Sequence, residues 1–596
     1  MKHQLNLLKF FPSEVYPEPW PNQLKALKKL SELDGGAIME LETGSGKTGI
    51  GITYLRAQAQ HSRGHLFYLV PNKTLADQVK KQFSDLTIVY GRNEYPCLFY
   101  TDKEVTAEES PCFFLRACPH RVDQTTGETK EEGAKPCPYL LAKYQAKQAK
   151  IVVATFAFYL FTQLFSHEFE NTEAVVIDEV HQLASAFRRC LSYEISDYHL
   201  AQGIEFLQQN KLKKEAVGLE HFLSTLKDII DTKSKKQTTV LLTDGEIVSL
   251  LRCLSRIKVQ DFEDKVKNLV ASLSKTELAE NLETIKRLER IVKSLYRYYS
   301  SLEYSRSTDE RKALNYSYGY LEKDPEQSKS AYKLIIKGYH VAPLIKKVMP
   351  DNTLAYSATI GNPEMLYFET ALKLPFYTFG SDFLVEKTRI FIPTDTPNLA
   401  VNERKTKDLN KAVRSIARSA KQLAAKGMRS LIVVVSNLEK DKMIRFTKEE
   451  GLDAVSYGNG VTPRQAAEKF KAGVGDCLIG TVSNYGEGVD LPKGIAPVIF
   501  YLRPAYPSPL DPASMFEEMR YGGRRWAIWN WRVMIEALQV RGRNIRSSTD
   551  IGVTFFISQQ FKRFVRASLP EWLDKAYVSN KTLADCIVET IKLMKN

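Results

Sequence analysis

The run Leu41-Glu-Thr-Gly-Ser-Gly-Lys47-Thr48 ends in residue types that grip phosphate. Gly44, Ser45 and Gly46 let successive backbone N–H groups curl around the β- and γ-phosphates of a nucleoside triphosphate, just before a helix whose N-terminus favours anions. Lys47 then reaches the phosphate oxygens, and the Thr48 hydroxyl is a ligand for Mg2+. The first position, commonly glycine or alanine, is Leu41 here. The alternative is a glycine-rich strand-to-helix turn without chemistry.

About 130 residues on, Glu173-Ala-Val-Val-Ile-Asp178-Glu179-Val-His181 reads as a buried strand ending in two carboxylates. The C-terminal ends of strands are where an open α/β sheet binds its ligands. Asp178 would hold Mg2+, Glu179 would orient and deprotonate the attacking water, and His181 would relay the nucleotide state. Alone, an Asp-Glu pair is more often a solvated strand end; beside the phosphate loop it reads as the second half of an ATP site. Arg541, Arg543 and Arg546 stand close together near the C-terminus. An arginine fork suits a transferring γ-phosphate, and a cationic helix face suits a nucleic-acid backbone, so both uses are open.

Several segments have the form needed to position these groups. His65-Leu-Phe-Tyr-Leu-Val70 runs into the polar helix start at Lys73-Thr74, Ile151-Val-Val-Ala-Thr155 is a second buried strand, and Leu354-Ala-Tyr-Ser357-Ala-Thr359 is a third. Strands alternating with helical patterns predict a parallel, doubly wound sheet. The alternation resumes after residue 380 with Ser430-Leu-Ile-Val-Val-Val435, Asp476-Cys-Leu-Ile-Gly480 and Pro497-Val-Ile-Phe-Tyr-Leu502. Between residues 192 and 335, helical periodicity and lysine-rich heptads dominate, and strand signals thin out.

At 596 residues the chain exceeds one hydrophobic core and should divide into three or four domains. With 43% hydrophobic and 26% charged residues it has an ordinary soluble composition. No apolar run approaches the roughly 20 residues of a membrane span, and no signal-peptide profile opens the chain, so the expected location is cytoplasmic, at a prokaryotic nucleoid, or nuclear. A formal charge of +14 favours a polyanionic partner. Eight cysteines argue against a disulfide framework, yet Cys97, Cys112, Cys118 and Cys137 cluster; Cys190, Cys253, Cys477 and Cys586 read as packing residues.

Taken together, these motifs resemble superfamily 2 helicases of the XPD/DinG type, the iron–sulfur branch. Asp178-Glu-Val-His181 is the DEVH box, Ser357-Ala-Thr359 motif III, Glu487-Gly-Val-Asp490 motif V and Gln539-Val-Arg-Gly-Arg543-Asn-Ile-Arg546 motif VI. Gly91-Arg-Asn-Glu-Tyr-Pro-Cys97 is similar to the lead-in to the family's first cluster cysteine, and Cys137-Pro-Tyr139 to its exit. Phe379-Gly-Ser381-Asp-Phe383 resembles the Gly-Ser-Pro-Phe that opens the second motor lobe, with Asp382 in place of proline.

The resemblance implies an α/β chain with two RecA-like P-loop motor lobes. Helicase domain 1 would span 1–90, 149–191 and 336–380; an iron–sulfur domain 91–148; a helical arch 192–335; and helicase domain 2 381–596. It also implies an ATP-dependent DNA helicase, with ATP and Mg2+ as cofactors, moving 5′ to 3′ on single-stranded DNA and unwinding forked duplexes. Gln23 stands where the family reads adenine, although Trp20 replaces the arginine often found nearby. Arg543 and Arg546 match arginines that contact the nucleotide phosphates, while Glu487 and Asp490 match residues linking ATP to the nucleic-acid track.

Four thiolates can hold a [4Fe–4S] cluster or a structural zinc. The intervals here are fourteen, five and eighteen residues, with none of the close pairs usual for zinc, and the resemblance favours iron and sulfur. The same segment carries Arg92, Phe113, Phe114, Arg116, His120, Arg121, Lys130 and Tyr139, a basic and aromatic set that would meet phosphates and stack bases, or simply form a solvated face. Arg524-Arg-Trp526-Ala-Ile-Trp529-Asn-Trp531-Arg532 reads equally as a stacking platform or as core packing. Two other functions fit the motifs: an ATP-gated nucleic-acid remodelling module, and a DinG-like helicase acting on R-loops in a CRISPR effector system. RNA–DNA hybrids are a further candidate substrate. An N-terminal exonuclease is not expected, and a monomer is.

Overall fold

The computed structural model describes residues 7–42, 44–100, 104–110, 112, 118–169, 171–234, 238–272, 295, 298–303, 315–322, 330–380, 385–400, 406–486, 491, 494–545, 550–563, 565, 569 and 571–595. The chain opens a parallel sheet with β1 (Ala37–Glu40), β2 (His65–Val70), β3 (Thr87–Val89), β4 (Ile151–Thr155) and β5 (Thr172–Asp178). These strands are apolar runs because helices cover both faces of a parallel sheet. Helix Lys47–Ala59 lies so close that a Cβ on Gly51 would come 2.5 Å from the Tyr356 hydroxyl.

The chain then leaves the sheet to build a separate unit from β6 (Tyr193–Ser196), β7 (Thr239–Leu241), β8 (Asn315–Leu321) and β9 (Tyr332–Gly338). They form an antiparallel sheet in the order β6-β9-β8-β7. Helices Lys213–Lys233 and Asp244–Ile257 cover it, with Phe222, Leu226, Leu250 and Leu334 in a core of its own. Helical periodicity alone led to an expectation of helices here; the sheet is a departure. Its cause is the alternation Tyr316, Tyr318, Tyr320 in β8, a period-two pattern too short to stand out among the heptads.

The chain returns with β10 (Asn352–Ser357) and β11 (Phe376–Thr378), completing the first sheet in the order β11-β1-β10-β5-β2-β4-β3, all parallel. The second lobe follows with β12 (Thr388–Phe391), β13 (Ser430–Val434), β14 (Ala454–Ser456), β15 (Cys477–Thr481), β16 (Val498–Tyr501), β17 (Gly552–Phe556) and β18 (Tyr577–Val578). Its parallel order is β14-β15-β13-β16-β17-β12-β18. Two parallel α/β lobes therefore stand as expected. No helix among the described residues is long and apolar enough to cross a membrane.

One apolar cluster runs through the boundary between the lobes, from Phe67, Val175 and Ile177 to Leu431, Tyr501, Trp531 and Met534. Helix Arg525–Arg541 of the second lobe lies along this boundary. Midway along it, Arg532 reaches Glu517 at 2.7 Å and, across the boundary, Glu369 at 2.9 Å; Arg188 pairs with the other oxygen of Glu369. The Tyr339 hydroxyl donates to Glu517 at 2.8 Å. Glu369 and Glu517 are both buried, and burial would push the Glu369 carboxyl up, but Arg188 and Arg532 outweigh it and hold it down to about 2. The antiparallel unit meets the second lobe where Tyr316 stacks on Phe516, centroids 5.0 Å apart.

Candidate nucleotide site at the lobe boundary

β1 delivers the chain to a loop in which Gly44 and Gly46 take φ of 84° and 71°, values that only glycine adopts without cost. The Ser45 hydroxyl donates to the Glu42 carbonyl at 2.7 Å, closing the loop on itself. Thr43 lies outside the described residues. Gln23 donates through Nε2 to the Gly46 carbonyl at 2.8 Å and accepts the Trp20 N–H through Oε1 at 2.7 Å. Its amide thus ties helix Pro21–Ser31 to the loop. Lys47 and Thr48 open the next helix; Lys47 Nζ donates to the Leu41 carbonyl at 3.4 Å and stands 3.6 Å from Glu179 Oε1.

β5 carries Asp178 to its C-terminal end, 7% exposed. Asp178 Oδ2 accepts a long hydrogen bond from Tyr68 at 3.4 Å, and the Tyr68 and Tyr356 hydroxyls are 2.6 Å apart. Asp178 Oδ1 is buried without a protein partner. An uncompensated carboxylate oxygen is costly in this setting, and a hard divalent cation is the natural complement to it. Burial first, then the Glu179 charge, raises the Asp178 carboxyl above the ordinary range. Glu179 is held low: burial opposes this, but Lys47, the Ser357 hydrogen bond and Arg543 prevail, and His181 adds to them only as imidazolium. Glu179 also has φ of 54°, a strained conformation for a residue with a side chain.

The second carboxylate oxygen begins a relay. Ser357 donates its hydroxyl proton to Glu179 Oε2 at 2.9 Å and so must accept from His181 Nδ1 at 2.7 Å. In the neutral imidazole Nε2 is then the lone pair, and it accepts from the Gln539 side-chain amide of the second lobe. The Gln539 carbonyl in turn accepts from Arg543 Nε at 3.1 Å. Two residues along the helix from Gln539, buried Arg541 stands 3.5 Å from Glu42 of the first lobe. Glu40, also buried, accepts the backbone N–H groups of Ile360 and Gly361 at 2.8 and 3.0 Å.

The structure therefore brings together Gln23, Gly44, Ser45, Gly46, Lys47, Thr48, Asp178, Glu179, His181, Ser357, Gln539 and Arg543. Asp490, Glu487, Arg546 and Ser381-Asp-Phe383 lie outside the described residues. Sequence reasoning missed Tyr68, Tyr356, Glu40 and the Glu42 partner of Arg541. A tyrosine inside an otherwise aliphatic strand was the available signal for the first two. Of the three tryptophans, Trp529 and Trp531 are buried and belong to the core, whereas Trp526 is 49% exposed.

Cys97, Cys112, Cys118 and Cys137 are free and partly buried. Burial, and after it the neighbouring thiols, raise the Cys118 and Cys137 thiols, so the four share one neighbourhood. Opposing that rise, the backbone of His120 favours the Cys118 thiolate, and the backbone of Tyr139 and Leu140, at the start of helix Pro138–Gln148, favours that of Cys137. Backbone donors aimed at sulfur suit thiolate ligands. Even so, among the described residues no group of three or more His, Cys, Asp or Glu side chains is placed to hold a metal ion, so the expected four-ligand shell is not assembled there. Phe113, Phe114 and Arg116, between the second and third cysteines, lie outside the described residues.

Residues 17–202 match the family model described as type III restriction enzyme, res subunit, and residues 421–576 match that of the helicase C-terminal domain. No curated protein matches the sequence. Among solved structures, the chain is similar to an XPD helicase, at 14% identity and a TM-score of 0.59, covering 94% of this chain and 98% of that one. It is also similar to Xpd4 of S. tokodaii, at 12% identity and a TM-score of 0.53, covering 96% and 99%. At such identities the likeness is one of fold.

Proposed function

This chain has the fold of an XPD/DinG-type superfamily 2 helicase, and on that premise we propose that it hydrolyses ATP to move along single-stranded DNA in the 5′ to 3′ direction and separate forked duplexes. The observation that carries the reading is the relay from Lys47 through Glu179, Ser357 and His181 to Gln539, which joins the phosphate loop of one lobe to the other. Hydrolysis at such a boundary changes how the lobes seat on each other, and that is the element a translocating motor needs.

In this reading Gly44, Ser45, Gly46 and Lys47 bind the triphosphate. Thr48 and the unpartnered oxygen of Asp178 hold Mg2+, which neutralises charge on the phosphates when bound. Glu179, kept ionised by Lys47 and Ser357, takes the proton of the attacking water at its carboxylate. Arg543 and Arg546 would contact the nucleotide phosphates, and Asp490 would couple them to the nucleic-acid track. Gln23 fixes the phosphate loop, with its remaining N–H for the base. Cys97, Cys112, Cys118 and Cys137 would hold a [4Fe–4S] cluster once drawn together, tying a stretch, 91–148, whose described residues form few regular elements.

The test is unwinding of a duplex carrying a 5′ single-stranded tail against one carrying a 3′ tail, with wild-type protein and Lys47→Ala. ATP-dependent strand separation of the 5′-tailed fork alone, lost in Lys47→Ala with DNA binding retained, is expected. ATP hydrolysis without separation of either fork would instead make the chain a remodelling module.

A further inference from the structure

Arg541 is buried at the end of helix Arg525–Arg541 and its guanidinium spans the boundary. Nη2 donates to the Thr388 hydroxyl of its own lobe at 3.3 Å, while Nη1 faces Glu42 Oε1 of the phosphate loop at 3.5 Å. Thr388 is itself fixed, since its hydroxyl donates to the Gly552 carbonyl at 3.1 Å. On the other side, Glu42 is buried and its carbonyl is the acceptor on which Ser45 closes the loop. A movement of Glu42 therefore moves the phosphate loop, and a movement of Arg541 moves Gln539 and Arg543 on either side of it in sequence.

We infer that Arg541 is a positioning residue for hydrolysis, and that its ion pair with Glu42 sets the seat of the second lobe on the phosphate loop. The inference rests on the proposed ATPase reading and goes further by assigning work to a pair that touches none of the reacting atoms. An arginine held by Thr388 on one nitrogen and by Glu42 on another aligns two rigid bodies, whereas a single-point lysine ammonium keeps the charge on Glu42 but not the second tie. With the pair intact, Gln539 meets His181 and Arg543 lies near enough to Glu179 to lower its pKa. Without it, the same groups remain but their registration slackens, and misplacement by about 1 Å is enough to lower turnover roughly 100-fold.

The experiment is steady-state ATP hydrolysis, with saturating single-stranded DNA, by Glu42→Gln, Arg541→Gln, the double variant and Arg541→Lys. Positioning predicts that each single glutamine variant loses at least about 10-fold in kcat with the ATP KM within about 3-fold, that the double variant is no worse than the weaker single, and that Arg541→Lys recovers part of the loss. Losses that multiply in the double variant, or a Glu42→Gln enzyme with wild-type kcat, would overturn it. So would a rise in KM confined to Arg541→Gln, which would mean that the arginine binds nucleotide directly. A wild-type chain without ATPase activity would sink the functional reading instead. The pair would then be read by hydrogen exchange, with Glu42→Gln and Arg541→Gln each speeding exchange in both β1 and helix Arg525–Arg541 if it joins the lobes, and only in the mutated lobe if it does not.

Discussion

The Trp531 indole N–H of the second lobe donates to the Ile360 carbonyl of the first at 2.9 Å, while the Ile360 N–H donates to Glu40 of β1. A single residue of the first lobe thus connects the strand that leads into the phosphate loop with the helix that carries Gln539. Trp531→Phe keeps an aromatic ring but leaves a buried carbonyl without its donor. A loss of about 1–3 kcal/mol is expected, measured as a shift in the urea midpoint at unchanged m-value.

Gly46→Ala attacks the loop from within. Its φ of 71° disfavours any side chain by about 1–2 kcal/mol, and the new Cβ would stand 2.1 Å from Gln23 Nε2, displacing the amide that anchors the loop. Binding of a fluorescent ATP analogue should fall below detection. Gly133→Ala, at φ 80° with nothing within 4 Å, is the control and should bind as wild type.

Acid should loosen the boundary through Glu369. Its carboxyl lies below the ordinary 4.5, at about 2, so its contribution to stability is complete above about pH 4.5 and is lost as pH falls towards 2. The fluorescence of Trp529, whose indole donates to Glu517 at 2.5 Å beside Arg532, reports on the same network. Wild-type stability should fall steeply across that window, and Glu369→Gln, already less stable at neutral pH, should show a shallower fall there. Equal slopes would mean that Glu369 is not the titrating group.

The cysteines are tested by composition. Anaerobically purified protein should contain about four iron and four sulfide per chain with broad visible absorbance, and Cys112→Ser should bleach it. Zinc in place of iron, or neither metal, would remove the cluster from the proposal while leaving the ATP site untouched.

The phosphate loop and the Asp178-Glu179 pair were legible because their chemistry is local: a few adjacent residues specify both the turn and the ligand. The parallel sheets were legible for a related reason, since strands such as Ser430–Val434 are continuous apolar runs. Contacts between distant residues were not. Nothing in Glu42 or Arg541 marks them as partners, and Tyr68 meets Tyr356 only because β2 and β10 flank β5. The short β6 and β7 left no pattern, and Trp526 looked no different from the buried Trp529 and Trp531 until the helix face was known.

The order of strands in the first sheet bears on how the chain matures during synthesis. β1, which leads into the phosphate loop, pairs on one side with β10, Ala37 against Leu354, and on the other with β11, Ile38 against Phe376. Both neighbours emerge from the ribosome only after the antiparallel unit has been made. Until then the strand beside the ATP site has two bare edges, the kind of surface that invites wrong pairing. A nascent chain stalled before residue 354 would therefore carry the whole Gly46-Lys47-Thr48 motif and the strands β2 to β5, yet lack both strands that hold β1, so competence for ATP arrives late in synthesis although the residues of the phosphate loop are among the first to appear.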